Sequence, residues 1–446
     1  MLVSDWESFE VAAARVRVLE YTSNPRPHSA AALDCSVFRS FACAARGRTG
    51  LLPRLQRLTW TAIDDGIYPY ISLFLSPTIT SLDIYAASKE PASARMRFSL
   101  LPSLVSQCPS LHSLKLTGDP ALSGHVTPWR SVFSKYSANA CASFGRWKAL
   151  KSLYLDHVDL SSLTEALATL PALMKLDLSC CQATNDSPSA PSNVQGFPVL
   201  QHLCIEDCNM DSCLYVLKRM SRGTPLVYLE LNVKGLPLES RWRELFDNMK
   251  AVISHDSLSI LYFSVTNPGP AQGEQPVIMD FQTISPLRHF RRISKFKNTG
   301  HCYLDLDDRD VARMARAWPH LKSFIIRLSR LRLTLHAFLP FAKYCPELEV
   351  LGMPIRATNV NDYEERPGRG SCGIRLRELI IFNSPIDDPH RVAAFISDIF
   401  PNVGHISFTP SSAAAQCQIH WTKWIEVRKL VPIFVAVRRQ EANHTS

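Results

Sequence analysis

Apolar residues recur along the chain in a short pattern: one apolar residue, two variable ones, a second apolar residue, one variable one, and a third apolar residue. Leu150, Leu153 and Leu155 form one such copy. The last two apolar residues lie two apart, so they share one face of a strand, and the residue between them points to the other face. Each copy therefore predicts a short strand with one buried and one open face.

The pattern is periodic. Thirteen copies begin at residues 55, 79, 111, 150, 173, 200, 226, 258, 293, 321, 348, 376 and 403, those at 79 and 293 being weaker. Their mean spacing is 29 residues, and the last four steps differ by no more than one residue. This is the pattern and the period of leucine-rich repeats, whose strands pair in parallel with those of the next repeat. One copy alone is weak evidence, but thirteen in phase are strong evidence.

The segments between the strands show helical spacing. Leu160, Leu163 and Leu167 precede one strand at intervals of three and four, and Val311 and Met314 precede another. A single repeat cannot bury its apolar side, so stacking of neighbours supplies the core. The predicted fold class is α/β: a leucine-rich-repeat solenoid with a curved parallel sheet inside, helices outside and helical caps.

The two ends differ from the repeats. Residues 5–19 predict a helix, with Trp6 and Phe9 on its apolar side, whereas residues 39–50 are loop-like. The C-terminal segment predicts an amphipathic closing helix that Pro432 should kink or break. We therefore predict an N-terminal capping helix and first strand region over 1–49, the solenoid over 50–412, and a C-terminal capping helix over 413–446.

Four longer segments interrupt the repeats and predict surface loops. They cover residues 118–147, 183–196, 267–277 and 357–373, and they are mixed in composition or rich in Pro, Gly, Ser and Asn. Segments of this length either contact a partner or are tolerated insertions. We favour tolerated insertions.

Composition narrows the class of protein. Of the 446 residues, 46% are hydrophobic, and the net charge of +9 is spread along the chain, so it permits an acidic partner without indicating one. Thirteen cysteines without a basic-then-apolar leader predict reduced thiols in the cytoplasm or nucleus. No run of about eighteen apolar residues occurs, so we expect no membrane span.

The cysteines leave a metal site as an alternative. A metal would gather Cys180, Cys181, Cys204, Cys208, Cys213 and His202, but no CxxC pair occurs and the spacing of Cys204 and Cys208 is poor for zinc. Cys181 and Cys208 follow their strands at a turn position where such repeats hold small polar side chains. We therefore predict structural thiols and no metal.

Motifs for catalysis are missing from the sequence. It contains no phosphate loop, no GxGxxG after a strand, no GxSxG elbow and no HExxH helix. The acidic run at Asp305, Asp307, Asp308 and Asp310 lacks the glycine and glutamate of a calcium loop, so we predict that it caps the following helix. We predict no catalytic residue, no cofactor and no enzyme activity.

One basic cluster contains Arg288, Arg291, Arg292, Lys295 and Lys297. It suits either an acidic partner or nucleic acid, or else a solvated face whose long side chains cover apolar surface. Aromatic residues hardly interleave with it, so we favour the solvated face and predict no nucleic-acid binding.

A protein partner is expected on the concave strand face, at the positions between the paired apolar residues. Exposed aromatic and charged side chains can act there as anchors. The candidate protein-binding residues are Lys115, Tyr154, Asp177, Glu230 and Tyr262. An ordinary solvated strand face is the alternative.

Nearly the whole chain resembles the leucine-rich-repeat region of fungal F-box proteins, especially those of mushroom-forming basidiomycetes. The resemblance rests on DWESFEVAAARVRVLEY at 5–21, ESRWRELFDNMKAVISHDSLSILYF at 239–263, LDDRDVARMARAWPHLKSF at 306–324 and KWIEVRKLVPIFVAVRRQE at 423–441. It implies a substrate receptor, in which an N-terminal F-box binds the adaptor of an SCF (cullin-RING) ubiquitin ligase and the repeats hold the protein to be modified.

The F-box itself, a helical segment of roughly 40 residues in that family, is missing from this sequence and is expected before the DWESF helix. Two functions follow. The first is the substrate-recognition part of an F-box-type receptor, which binds the SCF adaptor only if an F-box is present upstream. The alternative is a stand-alone repeat scaffold or inhibitor that binds protein without ubiquitin ligation.

Overall fold

The computed structural model describes most of the chain. The described residues are 3–22, 35–45, 50–62, 66–86, 103–117, 144–156, 160–181, 196–266, 277–358, 367–368, 372–408 and 415–445. They form two compact units, Met1–Thr224 and Pro225–Ser446. The predicted loops at 118–147, 183–196 and 267–277 lie almost wholly outside the described residues, and that at 357–373 lies largely outside them.

The first unit is organised around parallel strands that pair in chain order. The described strands are β1 (Val18–Thr22), β2 (Arg57–Ala62), β3 (Ser81–Ala86), β4 (Ser113–Thr117), β5 (Ser152–Asp156), β6 (Lys175–Ser179) and β7 (His202–Cys208). Most of these strands bury alternate residues, such as Leu153 and Leu155 in β5, and leave the others half-buried or exposed, whereas β7 also buries Cys204. The sheet of this unit therefore has one covered face and one open face.

The same backbone contact recurs before each strand. The amide of Lys151 donates to the carbonyl of His112, and the amide of Met174 donates to that of Lys151, at 2.8 and 2.9 Å. Because the same amide-to-carbonyl hydrogen bond occurs at the same position of each repeat, the strands of consecutive repeats are aligned in the same register. They also satisfy backbone groups at the strand entry, which are costly to bury unpaired.

The described helices of the first unit include α1 (Val3–Ala13), α2 (Cys35–Ala44), α3 (Leu160–Ala168) and α4 (Met210–Leu217), and residues 103–107 are also helical. Phe38 of α2 is buried with its ring centroid 5.1 Å from that of Tyr21 and 5.5 Å from that of Trp60. This aromatic cluster covers the apolar side of β1 and β2, where the sheet of the unit begins.

Two sequence predictions fail in this region. The N-terminal helix was expected over 5–19, but α1 ends at Ala13 and Val18–Thr22 forms β1. Residues 39–50 were expected to be loop-like, but much of that stretch lies in α2. Both errors arise because β1 pairs with β2 and Phe38 packs against Tyr21 and Trp60, which are tertiary contacts that local spacing does not reveal.

The second unit repeats the plan of the first. Its sheet contains, in spatial order, β8 (Tyr228–Lys234), β9 (Ile260–Thr266), β11 (Lys295–Gly300), β13 (Ser323–Ile326), β14 (Val350–Gly352), β15 (Glu378–Ile380) and β16 (His405–Ser407). A separate parallel pair, β10 (Val277–Asp280) and β12 (Cys302–Asp305), lies outside that sheet.

An aromatic core runs through the second unit. Phe263, Phe296 and Phe324 point inward from successive strands of this sheet. The ring centroid of Phe296 lies 5.5 Å from that of Phe263 and 5.3 Å from that of Phe324. The rings are fully or almost fully buried, and each such burial stabilises the fold by roughly 1.5–3 kcal/mol. The described helices around this core are α5 (Glu239–Val252), α6 (Phe281–Ile284), α7 (Asp308–Ala317), α8 (Phe338–Tyr344) and α9 (Pro389–Ile399).

The C-terminal helix α10 (Ala415–Thr445) packs on α9. The indole Nε1 of Trp424 donates to the carbonyl of Ser384 at 2.8 Å, and Arg438 pairs with Asp398 at 2.7 Å. Pro432 was predicted to kink or break this helix: the break is wrong, because α10 continues through this residue, and the kink stays a prediction. Pro432 is exposed, so the carbonyl that loses its partner faces water and the buried side of the helix is undisturbed.

All thirteen predicted copies coincide with strands, including the weak copy at Ile293 that forms β11. The fold class is α/β, a leucine-rich-repeat solenoid with a parallel sheet and helices, as predicted from the sequence. The domain limits at 49/50 and 412/413 stay predictions. No helix within the described residues combines the length and apolar character that crossing a membrane requires.

Candidate protein-binding surface

The middle positions of β3 to β6 form a continuous row across the open face of the first unit. Strand register places Asp83 beside Lys115, Lys115 beside Tyr154, and Tyr154 beside Asp177. Each of these residues lies between two buried apolar neighbours in its strand. The sheet therefore holds Lys115, Tyr154 and Asp177, three of the predicted binding residues, next to one another.

Neighbouring side chains in this row contact each other. Lys115 places its Nζ 5.2 Å from the centroid of the Tyr154 ring, a cation–π distance. Burial raises the pKa of Asp83, and the positive charge of Lys115 partly opposes this rise. Lys115 therefore lies between the acidic side chain of Asp83 and the aromatic ring of Tyr154 and interacts with both.

Asp177 is held by two basic side chains. Its carboxylate lies 3.1 Å from Nζ of Lys175 and 3.2 Å from Nε2 of His202. The Asp177 side chain is only 18% exposed, so these contacts compensate the partial loss of hydration. Asp177 consequently has a fixed position and offers little free charge to a partner.

Tyr154 is the half-buried centre of the row. Burial, followed by the charge of Asp156, raises the pKa of Tyr154 to about 12, while hydrogen bonding with Ser179 opposes this. The phenol is therefore neutral at physiological pH and can donate a hydrogen bond. A rigid neutral tyrosine with an exposed edge is suited to contact with a protein surface.

The open face of the second unit carries a comparable group, the tyrosine cluster, which consists of Tyr228, Glu230, Tyr262 and Lys297. The rings of Tyr228 and Tyr262 meet edge to face, with centroids 5.8 Å apart. The Tyr228 hydroxyl donates to the Glu230 carboxylate, and Nζ of Lys297 lies 5.9 Å from the Tyr262 centroid. The cluster thus brings together two tyrosine rings, the Glu230 carboxylate and the Lys297 ammonium group from strands β8, β9 and β11.

Electrostatics keep the Tyr262 phenol in its neutral form. Partial burial and then the charge of Glu230 raise the pKa of Tyr262. The two tyrosines therefore present hydrogen-bonding hydroxyls beside apolar ring surface. This combination is enriched at protein interfaces.

The row of the second unit continues from the tyrosine cluster into an apolar stretch. Register places Ile325, Gly352 and Ile380 side by side. A Cβ atom added to Gly352 would lie 3.3 Å from the Ile380 Cβ and 3.5 Å from two Ile325 carbons. The two isoleucines therefore close over the glycine and give the open face an apolar segment beside the polar cluster.

Sequence reasoning found part of this surface. It named Glu230 and Tyr262 but missed Tyr228 and Lys297. Tyr228 occupies the position before the second apolar residue of its copy. Such positions form a second row on the open face, next to the row of middle positions from which the binding residues were predicted. Lys297 was assigned to the basic cluster, although its place between Phe296 and Asn298 is a middle strand position.

Two cysteines of the first unit, Cys181 and Cys208, bond to backbone groups where their strands end, at the turn position predicted for them. The Cys208 sulfur accepts from the backbone amide of Cys181, and each of the two thiols donates to a backbone carbonyl, all at 3.2 Å. Hydrogen bonding with Cys181 and then burial raise the pKa of Cys208 well above its ordinary value, and burial raises that of Cys213 to about 12. Thiols with pKa values this high are protonated at neutral pH, and the expected absence of a metal stays a prediction.

Comparison with known proteins gives remote likenesses. No protein-family model and no curated protein sequence matches the chain. A chain of the yeast Rad7 and Elc1 complex is similar over 92% of this chain and 91% of its own, with 16% identity and a TM-score of 0.41. A leucine-rich-repeat protein of Leptospira interrogans is similar over 90% and 80%, with 14% identity and a TM-score of 0.47.

A third structure, the complex of TLR13 with ssRNA13, is similar over 80% of this chain and 53% of its own, with 15% identity and a TM-score of 0.30. All three TM-scores are below 0.5, so these likenesses carry no argument about function. The assignment to leucine-rich repeats rests on the period, register and alternating burial of the chain itself.

Proposed function

We propose that this protein binds a protein partner on the open face of its sheet and acts by contact and not by catalysis. The observation that carries the proposal is the tyrosine cluster of the second unit. Its side chains stand on paired strands, and their mutual contacts hold them in place before a partner arrives. Little side-chain freedom is then lost on binding, which favours affinity.

The surface also has the composition of a protein interface. Tyrosine supplies large contact area with a hydroxyl at its edge, and the adjoining Ile325 and Ile380 supply apolar area. In the first unit, Lys115, Tyr154 and Asp177 present a smaller group of the same kind. A partner with an apolar patch flanked by hydrogen-bonding groups fits the second unit best.

The more specific role that we propose is the substrate-recognition part of an F-box-type receptor for an SCF ubiquitin ligase in the cytoplasm or nucleus. Its support is the resemblance of four segments to the repeat region of fungal F-box proteins. The alternative is a stand-alone scaffold or inhibitor that occludes its partner. Both roles use the same face and differ in whether an adaptor is recruited.

Substitution of the tyrosines tests the binding face. Tyr154→Ala and Tyr262→Ala should leave the melting temperature nearly unchanged and weaken binding of the partner captured by the wild-type protein, by at least about tenfold for Tyr262. Matched controls are Tyr215→Ala, on helix α4, and Tyr303→Ala, on β12, which are half-buried tyrosines away from the open rows. Equal loss of binding in controls and test variants would refute the assignment of the face.

Recruitment of an adaptor tests the more specific role. The receptor hypothesis predicts that the genomic reading frame upstream of the codon for residue 1 encodes an F-box and that the longer product co-purifies with the SCF adaptor. An upstream frame without an F-box, together with no adaptor in the co-purification, would favour the scaffold or inhibitor. Binding at the tyrosine cluster is measured separately and survives either result.

A further inference from the structure

A basic pocket lies among the helices and turns of the second unit. It has a volume of about 890 Å³ and is lined by four arginines, two histidines and a single carboxylate. The charged residues used below are Arg288, Arg291, Arg313, Arg316 and Asp256. With both histidines neutral, four positive charges and one negative charge leave a net charge of +3.

Three successive repeats build the pocket. His255 and Asp256 follow α5, Arg288 lies in the last turn of the short helix Ser285–His289, and Arg313 and Arg316 lie on the last turns of α7. The basic cluster of the sequence is thereby divided. Arg288 and Arg291 reach the pocket, whereas Lys295 and Lys297 belong to β11 on the open face of the sheet.

The positive charge of the pocket is largely uncompensated by protein groups. Among the described residues, the only carboxylate that pairs with one of the four arginines is Asp310, whose Oδ1 lies 3.5 Å from Arg313. Arg288 uses its Nε to donate to the carbonyl of Ser285 at 3.3 Å. A guanidinium has five N–H donors, so most donors of Arg288 and those of Arg291 remain available for an anion.

Aromatic rings fix two of these guanidinium groups in position. The ring centroid of Phe281 lies 5.3 Å from the Arg288 guanidinium carbon and 5.2 Å from that of Arg313. One ring therefore contacts two guanidinium groups of the same charge. Arg316 lies 5.1 Å from the Tyr344 centroid.

We propose that this pocket is a binding site for a phosphate monoester dianion carried by a peptide. Planar guanidinium groups bind phosphate oxygens through paired N–H donors, and several arginines around one pocket are the usual means of recognising such a group. This role differs from the binding proposed for the open face of the sheet, because it uses other residues and another kind of ligand.

The pocket suits a peptide better than a nucleic acid. Single-stranded nucleic acids need aromatic faces on which successive bases stack. Here Phe281 faces Arg288 and Arg313, and Tyr344 faces Arg316, so the rings already stack on guanidinium groups.

Fluorescence polarisation with the full chain tests the site. The probes are a labelled nonapeptide of glycine and serine with one central phosphoserine, the same peptide unphosphorylated, and inorganic phosphate as competitor. We expect saturable binding of the phosphopeptide only, with competition by inorganic phosphate at much higher concentration. The double variant Arg288→Gln, Arg291→Gln should weaken phosphopeptide binding by at least about tenfold.

A matched control separates the pocket from net charge. Arg327→Gln with Arg330→Gln removes the same charge from exposed positions outside the pocket and should leave the affinity within about twofold. Equal effects of the two double variants would overturn the proposal. So would equal affinity for both peptides, displacement by phosphate as effective as by phosphopeptide, or tighter binding of a twelve-nucleotide single-stranded DNA by the wild-type protein.

Discussion

Asn298 stands where the repeat pattern calls for an apolar side chain. Strand register places this inward residue of β11 between Phe263 and Ile326, and it is fully buried. Within the described residues, neither its amide nitrogen nor its amide oxygen makes a hydrogen bond of ordinary geometry, and the Asn298 amide only partly opposes the burial that raises the pKa of the Cys302 thiol. Asn298 thus explains why the sequence copy at Ile293 is weak, and its amide is a destabilising element in an otherwise apolar core.

Asn298→Leu should therefore stabilise the protein. The two side chains have similar size, and removal of an unpaired buried amide should raise the free energy of unfolding by about 1–2 kcal/mol, measured by urea denaturation. The control Asn402→Leu, at an exposed residue whose Nδ2 donates to the Ile374 carbonyl at 2.9 Å, should not stabilise. Destabilisation by Asn298→Leu would indicate a required polar role for this amide.

Cysteine reactivity gives a second prediction at the residue scale. Burial raises the pKa of Cys302 and Cys345 to about 12, so almost no thiolate is present at pH 8. Cys43 and Cys372 are exposed. Iodoacetamide at pH 8, followed by peptide mass spectrometry, should label Cys43 and Cys372 first and the buried pair only on unfolding. Early labelling of Cys345 would show that its repeat opens.

Element boundaries depend on single side chains. Asp307 caps helix α7: its carboxylate accepts from the amide of Asp310 at 2.9 Å, and the Asp310 carboxylate accepts from the amide of Asp307 at 3.2 Å. The acidic run that resembles a calcium loop is therefore a helix cap, as predicted. Burial would raise the pKa of Asp307, but its hydrogen bonds from backbone amides outweigh this effect and lower it.

Asp307→Ala should lower stability by about 1 kcal/mol at neutral pH. Because the pKa of Asp307 is lower in the folded state, its contribution is complete above the ordinary aspartate pKa of about 4 and is lost as the pH falls through the folded value. Urea midpoints of wild type and variant should thus converge in acid. Asp256→Ala, at an exposed aspartate, serves as the control, and a constant difference at all pH values would contradict the carboxylate mechanism.

Helix α10 shows that an internal proline is tolerated when it faces water. Pro432 removes one helical hydrogen bond, yet Val431 and Val435 remain buried. Pro432→Ala should restore that bond and raise the free energy of unfolding by about 1–3 kcal/mol. Circular dichroism melting measures the change, and an unchanged or lowered melting temperature would mean that the proline bend itself is needed.

At the scale of the molecule, each repeat is stabilised by its neighbours. Phe296 contacts Phe263 and Phe324 and is fully buried, so Phe296→Ala should destabilise by about 3–5 kcal/mol. Hydrogen exchange should accelerate most in β9, β11 and β13, with β16 as the internal reference. Uniform acceleration over all strands of the second unit would indicate that this unit unfolds in one cooperative step.

The sequence predicted the strands well and the surface less completely. Strand positions follow from a local rule, since each copy buries its own apolar pair, and even Ile293 with Phe296 sufficed. A first strand region was predicted within 1–49, but the bounds of β1 and the whole of helix α2 were not predicted, because Tyr21 and Phe38 contact Trp60, which is distant in sequence. Neither the role of Tyr228 nor the arginine pocket was predicted from the sequence. Contacts across strands and between repeats bring these residues together, and the spacing within one repeat does not reveal such contacts.

The alternation of each strand has a consequence for how this protein can change over time. Residues such as Tyr262 and Lys297 take no part in the aromatic core, so they can be exchanged without reshaping the scaffold beneath them. Substitutions that change the partner can therefore accumulate with little effect on folding. Related genes could diverge rapidly in what they capture, one strand at a time, while the architecture stays the same.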